Sequence, residues 1–381
     1  GATYMFLGNF WFAVRRQCIT LTSLADISTT SSPRRYEIDA VRIIVLGLLI
    51  LYHATIMFQP WAHYLLIPQN DSAIEWLWNP MQLLNVWRIP ILFVISGMAL
   101  WYSLIRYNVK QVLKHRLRRL GWPLAFGWLA LGPFCLYQGM VYYTKPAIYV
   151  PTPHYLWFLN NIIIYILVLL PLGSYIARHE TNWIHRWFVG GLTSAYGLPI
   201  SIVLCAGEAW VVNPDDYPRF FDTVHGFILG LLCFLLGLLY AAAGEAFWQR
   251  VRRLRYGTLS LALVLYSFRL IHYGFENVPN PLIGIEAIMW IWTVLGFSTM
   301  YLNRPSQMSS YITTAVFPIY ILHYPIQFSL SWVILPLNLP PEVKLLLLIS
   351  GVLGISLAIY EIALRRMRLL GPIFGLSAQH Y

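Results

Sequence analysis

Ten long apolar runs divide this chain, and they constrain its fold more than any other feature of the sequence. They lie at about 41–58, 83–104, 120–143, 155–174, 188–210, 223–243, 257–273, 283–302, 312–335 and 345–363. Most of these runs match the roughly 20 residues that a helix needs to cross a bilayer. Because a bilayer offers the backbone no water, every peptide group must be bonded within its own segment, and each run is therefore predicted to be a helix.

The composition agrees with a membrane-embedded chain. Of its 381 residues, 58% are hydrophobic and 11% are charged, whereas soluble domains carry about 25% charged residues. Tyr and Trp gather near the ends of the runs, as at Trp76, Trp78, Tyr155 and Trp157, as expected at a membrane–water interface. These features predict an all-α, polytopic integral membrane protein with about ten transmembrane helices, and they exclude an ordinary soluble enzyme. The lipid bilayer is therefore an expected partner of this protein.

The formal net charge of +11 at pH 7 raises the question of a nucleic-acid partner. Alternate loops, however, hold most of the basic residues, namely Arg15, Arg16, Arg34, Arg35, Arg106, Lys110, Lys114, Arg116, Arg118, Arg119, Arg178, Arg186, Arg250, Arg252, Arg253, Arg255, Arg304, Arg365, Arg366 and Arg368. The intervening loops hold Lys145, Arg219 and Lys344. Cytoplasmic loops of membrane proteins carry the excess of Lys and Arg. Both termini are therefore predicted to be cytoplasmic, and the charge requires no nucleic acid.

The chain divides into three predicted parts. Residues 1–34, rich in Ser and Thr, are expected to be a poorly ordered leader, residues 35–368 a single transmembrane domain, and residues 369–381 a cytoplasmic tail. The four cysteines have no spacing typical of a metal site or a disulfide framework. We therefore expect no metal and no permanently bound cofactor. The sequence leaves the oligomeric state open.

Three arginines, Arg42, Arg88 and Arg269, lie within or at the ends of apolar runs. A charged side chain is costly inside a bilayer, so each marks a candidate site unless it reaches the interface. Arg269, near the outer end of its run, is expected to reach the interface, and Glu208 and Glu286 are expected to be solvated. This interpretation is weaker for Arg88, which directly precedes an apolar stretch.

Arg42 and His53 share the first run at a spacing of eleven residues. In a helix this spacing places them about 20° apart around the axis and about 16 Å apart along it. One stripe would then carry a cation near the cytoplasm and, deeper in the membrane, the side chain best suited to proton transfer near neutral pH. A structural histidine and an arginine that reaches the interface account for the spacing equally well.

Two further elements add polar groups near the membrane. Arg116 and Arg119 precede the third run and share a helix face at i, i+3. A cluster of guanidinium groups suits phosphate, although basic loops also occur simply to orient a membrane protein. The ninth run contains His323, which is expected to be buried, either as a structural residue or lining a cavity.

Taken together, these segments resemble the membrane-bound acyltransferase-3 family from about Arg35 to Arg368. The matching features are Arg-x10-His (Arg42, His53), Ser-Gly (Ser96, Gly97), Arg-x-x-Arg (Arg116, Arg119), His-x-Leu-Trp-Phe-Leu (His154 to Leu159) and Tyr-x-Leu-His (Tyr320 to His323). The sequence around the first run is most similar to the branch that contains the glucan succinyltransferases of bacterial envelopes.

The resemblance implies a multi-pass enzyme of the bacterial inner membrane. It would pass an acyl group, acetyl or succinyl, from a cytosolic acyl-CoA to a hydroxyl of an extracytoplasmic carbohydrate, such as an envelope glucan or a surface polysaccharide. The phosphates of the donor would be bound by Arg116, Arg119 and Arg42. His53 and Arg42 would be the catalytic residues, with His53 as the general base. Candidates for contacts to the substrate or the oxyanion are Arg88, Trp157, Asn160 and His323.

One departure from the family pattern leaves the partner of His53 unidentified. Many relatives carry an acidic or polar residue soon after the Trp-Phe-Leu segment, where this chain has Asn160 and Asn161. Acceptor recognition is expected in the longest outer loops, 59–82 and 211–222. The main alternative function is a proton-coupled secondary transporter of a small solute, because such carriers also use intramembrane Arg and His. No matched pair of interrupted helices, however, marks two inverted halves.

Overall fold

The computed structural model describes residues 35–179, 183, 189–192, 194, 196–367 and 370–376. These residues form helices, turns and loops, and no strand occurs among them. The residues from Tyr36 onward form one compact unit. The predicted leader 1–34, Arg186, Arg368 and residues 377–381 of the predicted tail lie outside the described residues.

Helices follow one another along the described chain and are numbered here in order. They are α1 (Tyr36–Ile56), α2 (Trp78–Asn85), α3 (Arg88–Leu104), α4 (Val109–Phe126), α5 (Gly132–Tyr142), α6 (Trp157–Arg178), α7 (Gly197–Val212), α8 (Val224–Ala242), α9 (Glu245–Tyr273), α10 (Asn280–Tyr301), α11 (Gln307–Ile334) and α12 (Pro341–Ile359). A wider helical turn, Gly127–Leu131, joins α4 to α5. Short turns of 3-10 helix lie at His154–Leu156 and Gly371–Phe374.

Eight helical stretches of the described chain are long and apolar enough to cross a membrane. They comprise α1, α2 with α3, α4 with α5, α6, α8, α9, α10 and α12. The two remaining predicted spans correspond to α7, which has 16 residues, and to α11, which has 28 residues and begins with Gln, Ser and Thr side chains. The prediction of an all-α polytopic membrane protein is confirmed, and each predicted run lies in a helix where it is described.

Helix α1 lies among four others and contacts α3, α10, α11 and α12. We call the end of the bundle that contains Tyr36 and Leu104 the basic end. The opposite end, with the loops 57–77 and 213–223, is the far end. Because α1 runs from the basic end to the far end inside the bundle, its inward residues are placed within protein rather than against lipid.

Two glycines allow α3 and α8 to pack closely. A Cβ atom on Gly97 would lie 1.9 Å from the carbonyl oxygen of Phe234, and one on Gly237 would lie 1.9 Å from that of Val94. Small residues permit such backbone approach between membrane helices. The Gly97 of the Ser-Gly motif therefore has a packing role.

Pro325 connects α11 to the turn before α6. Proline has no backbone N–H, so the carbonyl oxygen four residues earlier loses its helical partner. That oxygen belongs to Ile321, and it accepts a hydrogen bond of 2.5 Å from the Tyr155 hydroxyl. A neighbouring side chain thus satisfies the freed carbonyl group, as membrane helices require.

The prediction that Arg269 and Glu286 reach the interface was wrong. Their side chains are 1% and 0% exposed, and Arg269 donates from Nε to Glu286 Oε2 at 2.9 Å and from Nη2 to Oε1 at 3.1 Å. Arg269 also donates to the carbonyl oxygen of Gln82 at 3.0 Å. This bidentate pair lets both charges stay buried, because each is neutralised and hydrogen-bonded. It joins α9, α10 and α2.

Glu208 is likewise buried rather than solvated. Its Oε1 atom lies 3.0 Å from Nδ1 of His225, across the contact between α7 and α8. A run-end position had suggested exposure to solvent, but the segment 213–223 covers this end of both helices. The carboxylate therefore belongs to the interior of the protein.

Candidate active site

His53 and His323 form a directed chain of hydrogen bonds. Nδ1 of His53 lies 3.0 Å from Nε2 of His323, and Nδ1 of His323 lies 2.5 Å from the carbonyl oxygen of Tyr320. A carbonyl oxygen can only accept, so Nδ1 of His323 carries a proton and its Nε2, in the neutral ring, accepts. Nδ1 of His53 must then be the donor. In this assignment Nε2 of neutral His53 has a free lone pair, which is the form a general base requires.

Helix α11 also holds the backbone and the ring face at His53. Gln327 donates from Nε2 to the carbonyl oxygen of His53 at 2.8 Å, and the Tyr324 ring meets the imidazole edge-on at 4.9 Å between centroids. Tyr155 stacks on Tyr324 at 4.8 Å. The bond from Tyr155 to the carbonyl freed by Pro325 therefore fixes the aromatic wall beside His53.

Arg88 adds a buried cation near the same imidazole. Its guanidinium carbon lies 3.8 Å from the ring centroid of Tyr52, and the residue is 2% exposed. Its Nε and Nη1 atoms have no hydrogen-bond partner, and the guanidinium lies within electrostatic range of His53. A buried donor without a partner is costly. Arg88 therefore presents unused donors close to His53.

Trp157 and Asn160 lie in the first turn of α6 and stand apart from His53. Trp157 packs against Phe93 and Phe221, with centroid distances of 6.3 and 6.2 Å. Within the described chain, no hydrogen bond or ring contact joins Trp157 or Asn160 to His53. The segment His154–Leu156 contributes to the site instead, because the ring of His154 lies 5.5 Å from that of Tyr324.

The three arginines predicted to bind phosphate come together at the basic end. Arg116 donates from Nη2 to the carbonyl oxygen of Ala99 at 2.7 Å and to Ser103 Oγ at 2.9 Å. Arg42 donates to Asp39 at 3.3 Å. The guanidinium of Arg116 lies within electrostatic range of those of Arg42 and Arg119. We call Arg42, Arg116 and Arg119 the arginine cluster.

Arg119 is the most accessible member of the arginine cluster. It is exposed, and its guanidinium carbon lies 5.9 Å from the ring centroid of Phe317. The turn Gly371–Phe374 packs on α4 beside it, and a Cβ atom on Gly375 would lie 3.0 Å from the carbonyl oxygen of Arg119. The described part of the C-terminal segment therefore borders this cluster.

The arrangement separates two chemical environments along one helix. The arginine cluster at the basic end can attract a polyanion, and the lone pair of His53 can accept a proton about 16 Å along α1 by helical rise. Arg88 presents unpaired N–H donors within electrostatic range of His53. The site can therefore hold an anionic donor at one position and react with it at another.

Sequence reasoning identified His53 and His323 but not the bond between them. It also missed Gln327, Tyr324 and the contribution of Pro325 with Tyr155. A signal was available in part, because His323 and Gln327 are four residues apart and must share a face of α11. The rotation of that face toward α1 had no signature in the sequence.

Comparisons with known proteins identify relatives of this chain. A family profile described as "Acyltransferase domain" matches residues 35–361. The chain is 24% identical over 379 residues to the glucans biosynthesis protein C of Salmonella schwarzengrund (strain CVM19633), covering 89% of this chain and 94% of that protein. Identity is 25%, with the same coverage, to the proteins of that name from Salmonella typhi and Salmonella typhimurium.

No solved structure matches the chain significantly. The family profile nevertheless covers most of the chain, including His53, His323 and the whole arginine cluster. The chain therefore belongs to the acyltransferase-3 family and is a multi-pass membrane acyltransferase.

Proposed function

We propose that this enzyme transfers an acyl group, acetyl or succinyl, from a cytosolic acyl-CoA to a hydroxyl of an extracytoplasmic carbohydrate, such as an envelope glucan. It would act in the bacterial inner membrane with both termini cytoplasmic. The observation that carries the proposal is the bond from His53 to His323, which leaves Nε2 of His53 as a proton acceptor inside the bundle. The names of the relatives support a glucan as the acceptor.

The arginine cluster is the proposed donor site. Coenzyme A carries several phosphate charges, and guanidinium groups bind phosphate through paired N–H donors. The long pantetheine arm would follow α1 from Arg42 toward His53, a rise of about 16 Å. The thioester would then meet the acceptor in the half of the bundle nearer the far end.

The proposed reaction is a direct acyl transfer. Nε2 of His53 takes the proton of the acceptor hydroxyl, and the oxygen forms a bond to the thioester carbon. Arg88 donates to the oxyanion of the tetrahedral intermediate. When the carbon–sulfur bond breaks, the departing sulfur takes the proton from His53, and coenzyme A leaves as the thiol. His323 positions the imidazole throughout.

Replacing His53 tests the base directly. We expect His53→Ala to lower kcat for acyl transfer at least about 10²-fold, since general bases contribute that much or more. Mass spectrometry of glycans from reconstituted enzyme, acyl-CoA and glucan measures the product. His272→Ala is the matched control, because His272 is exposed in the last turn of α9, outside both outer loops. Wild-type activity in His53→Ala would refute the assignment.

A pair of variants on one helix tests the donor site. We expect Arg119→Ala to weaken coenzyme A binding about tenfold, because a phosphate loses its charge-assisted contact. Arg118→Ala removes an equal charge from the adjacent position of α4, which is also exposed. This variant should bind coenzyme A normally. The measurement is the protection of detergent-solubilised enzyme from heat by coenzyme A. Equal protection of both variants would exclude Arg119 from the donor site.

A further inference from the structure

A second buried polar group lies at the far end, formed by α7, α8 and the segment between them. Nδ1 of His225 lies 3.0 Å from Oε1 of Glu208, and the two side chains are 1% and 2% exposed. The Tyr217 ring lies 4.6 Å from the His225 ring, and Phe220 stacks on the imidazole at 5.6 Å. We call Glu208, Tyr217 and His225 the far-end cluster.

Each member of the far-end cluster has a buried polar atom that finds no hydrogen-bond partner in the described part of the chain. These atoms are Nε2 of His225, Oε2 of Glu208 and the hydroxyl of Tyr217. Buried polar atoms in native structures nearly always have a partner, so three together call for an occupant. The carboxylate can only accept, so Nδ1 of His225 donates to it and Nε2 of the neutral ring is an acceptor. The cluster therefore offers two acceptors and one hydroxyl.

The segment 213–223 carries Tyr217 and covers the other two members of the cluster, Glu208 and His225. Asn213 and Asp222 bracket it in the left-handed region, with φ of 46° and 55°, which few residues other than glycine adopt. The Phe220 carbonyl oxygen approaches α8 so closely that a Cβ atom on Gly226 would lie 1.9 Å from it. The segment is therefore seated directly on the first turn of α8.

The same segment contacts the first turn of α6, where Phe221 meets Trp157 edge-on at 6.2 Å. Asp216 lies within electrostatic range of both His225 and Tyr52, and Tyr52 carries the guanidinium of Arg88 on its ring. Asp216 therefore links the far-end cluster electrostatically to the residue next to His53.

We propose that the far-end cluster is a binding site for hydroxyl groups of the carbohydrate acceptor. Its chemistry matches a polyol, because neighbouring hydroxyls can donate to Nε2 of His225 and Oε2 of Glu208 while one accepts from Tyr217. The segment 213–223 carries Tyr217 and covers Glu208 and His225, so it must open to admit a sugar and close again to bring the Tyr217 hydroxyl against it. This inference rests on the proposed function, since it assigns the cluster to the acceptor of that reaction.

Tyr217→Phe is the decisive variant. The hydroxyl it removes has no hydrogen-bond partner among the described residues, so we expect the change to preserve the fold and to act on a bound molecule. We expect the KM for a glucan oligosaccharide to rise about tenfold, with kcat at saturating acceptor and protection from heat by coenzyme A unchanged. Tyr137→Phe, which removes an exposed hydroxyl from α5 outside both outer loops, is the control and should behave as wild type.

A binding measurement keeps this test independent of turnover. We expect the oligosaccharide alone to protect the wild-type enzyme and Tyr137→Phe from heat, and to protect Tyr217→Phe far less. If Tyr217→Phe keeps the wild-type KM and protection, or if the oligosaccharide protects no form, the cluster holds water only and the inference is overturned. If protection depends on Tyr217 but no acyl group reaches the oligosaccharide, the proposed function fails and the binding site stands.

Discussion

At the scale of single residues, the proposed base chemistry depends on which nitrogen of the His53 imidazole carries the proton. His323 sets that choice for His53, since its Nε2 accepts from Nδ1 of His53 at 3.0 Å. In serine hydrolases a carboxylate fixes a catalytic histidine in the same way. Here a second imidazole, anchored on the Tyr320 carbonyl oxygen, does so without adding a negative charge to the membrane interior.

Replacing His323 tests this positioning role. We expect His323→Leu to lower kcat about 10²-fold, since His53 loses the acceptor that holds its tautomer, while coenzyme A binding stays normal. His323→Gln restores an acceptor oxygen and should recover part of kcat. Initial rates at saturating donor and acceptor measure both variants. Equal losses in the two variants would show a purely structural role for His323.

At the scale of elements, two close contacts carry the site. Pro325 removes a backbone donor from α11, and Tyr155 takes its place, which ties the turn before α6 to the helix of His323. On the other side, α3 brings Arg88 toward α1 because Gly97 and Gly237 let it approach α8. The motif residue Gly97 therefore allows the close packing of α3 on α8.

Gly97→Ala should destabilise the protein. The added methyl group would lie 1.9 Å from the Phe234 carbonyl oxygen, and such overpacking costs about 1–3 kcal/mol or more. Gly47→Ala in α1 is the matched control, because a Cβ atom there meets nothing within 4 Å; it should be neutral or slightly stabilising. Thermal unfolding in detergent compares them. A Gly97→Ala protein as stable as Gly47→Ala would contradict the packing role.

At the scale of the whole molecule, charge and chemistry are arranged along the axis of the bundle. The arginine cluster lies at the basic end, His53 and Arg88 lie deeper, and the far-end cluster lies at the far end, with Glu208 and His225 beneath the segment 213–223. The proposed transfer from a donor in one compartment to an acceptor in another requires such an order. The buried ion pair of Arg269 and Glu286 connects α9 to α10 within the bundle.

The orientation in the membrane can be measured with single cysteines. In a protein whose native cysteines are replaced, Asp71→Cys lies exposed at the far end and Lys110→Cys exposed at the basic end. We expect a membrane-impermeant maleimide to label Asp71→Cys in intact spheroplasts and Lys110→Cys only after lysis, because basic loops stay in the cytoplasm. The reverse pattern would invert the proposed donor and acceptor sides.

The sequence alone determined the class of fold, because a long apolar run has to be a helix in a bilayer and needs no knowledge of its neighbours. The fixed rise and rotation of a helix also related Arg42 to His53 and Arg116 to Arg119. These are local relations, and a linear pattern contains them.

The tertiary structure decided which faces meet. His53 and His323 are 270 residues apart in the sequence, and nothing in either run fixes the rotation of α11 toward α1. The same holds for Arg269 and Glu286. Their positions at the ends of apolar runs suggested exposure, but the packing of α9 on α10 buries them as an ion pair. A side chain's depth and partner follow from the packing of several helices at once, so the sequence could propose the groups of this site while only the fold could bring them into contact.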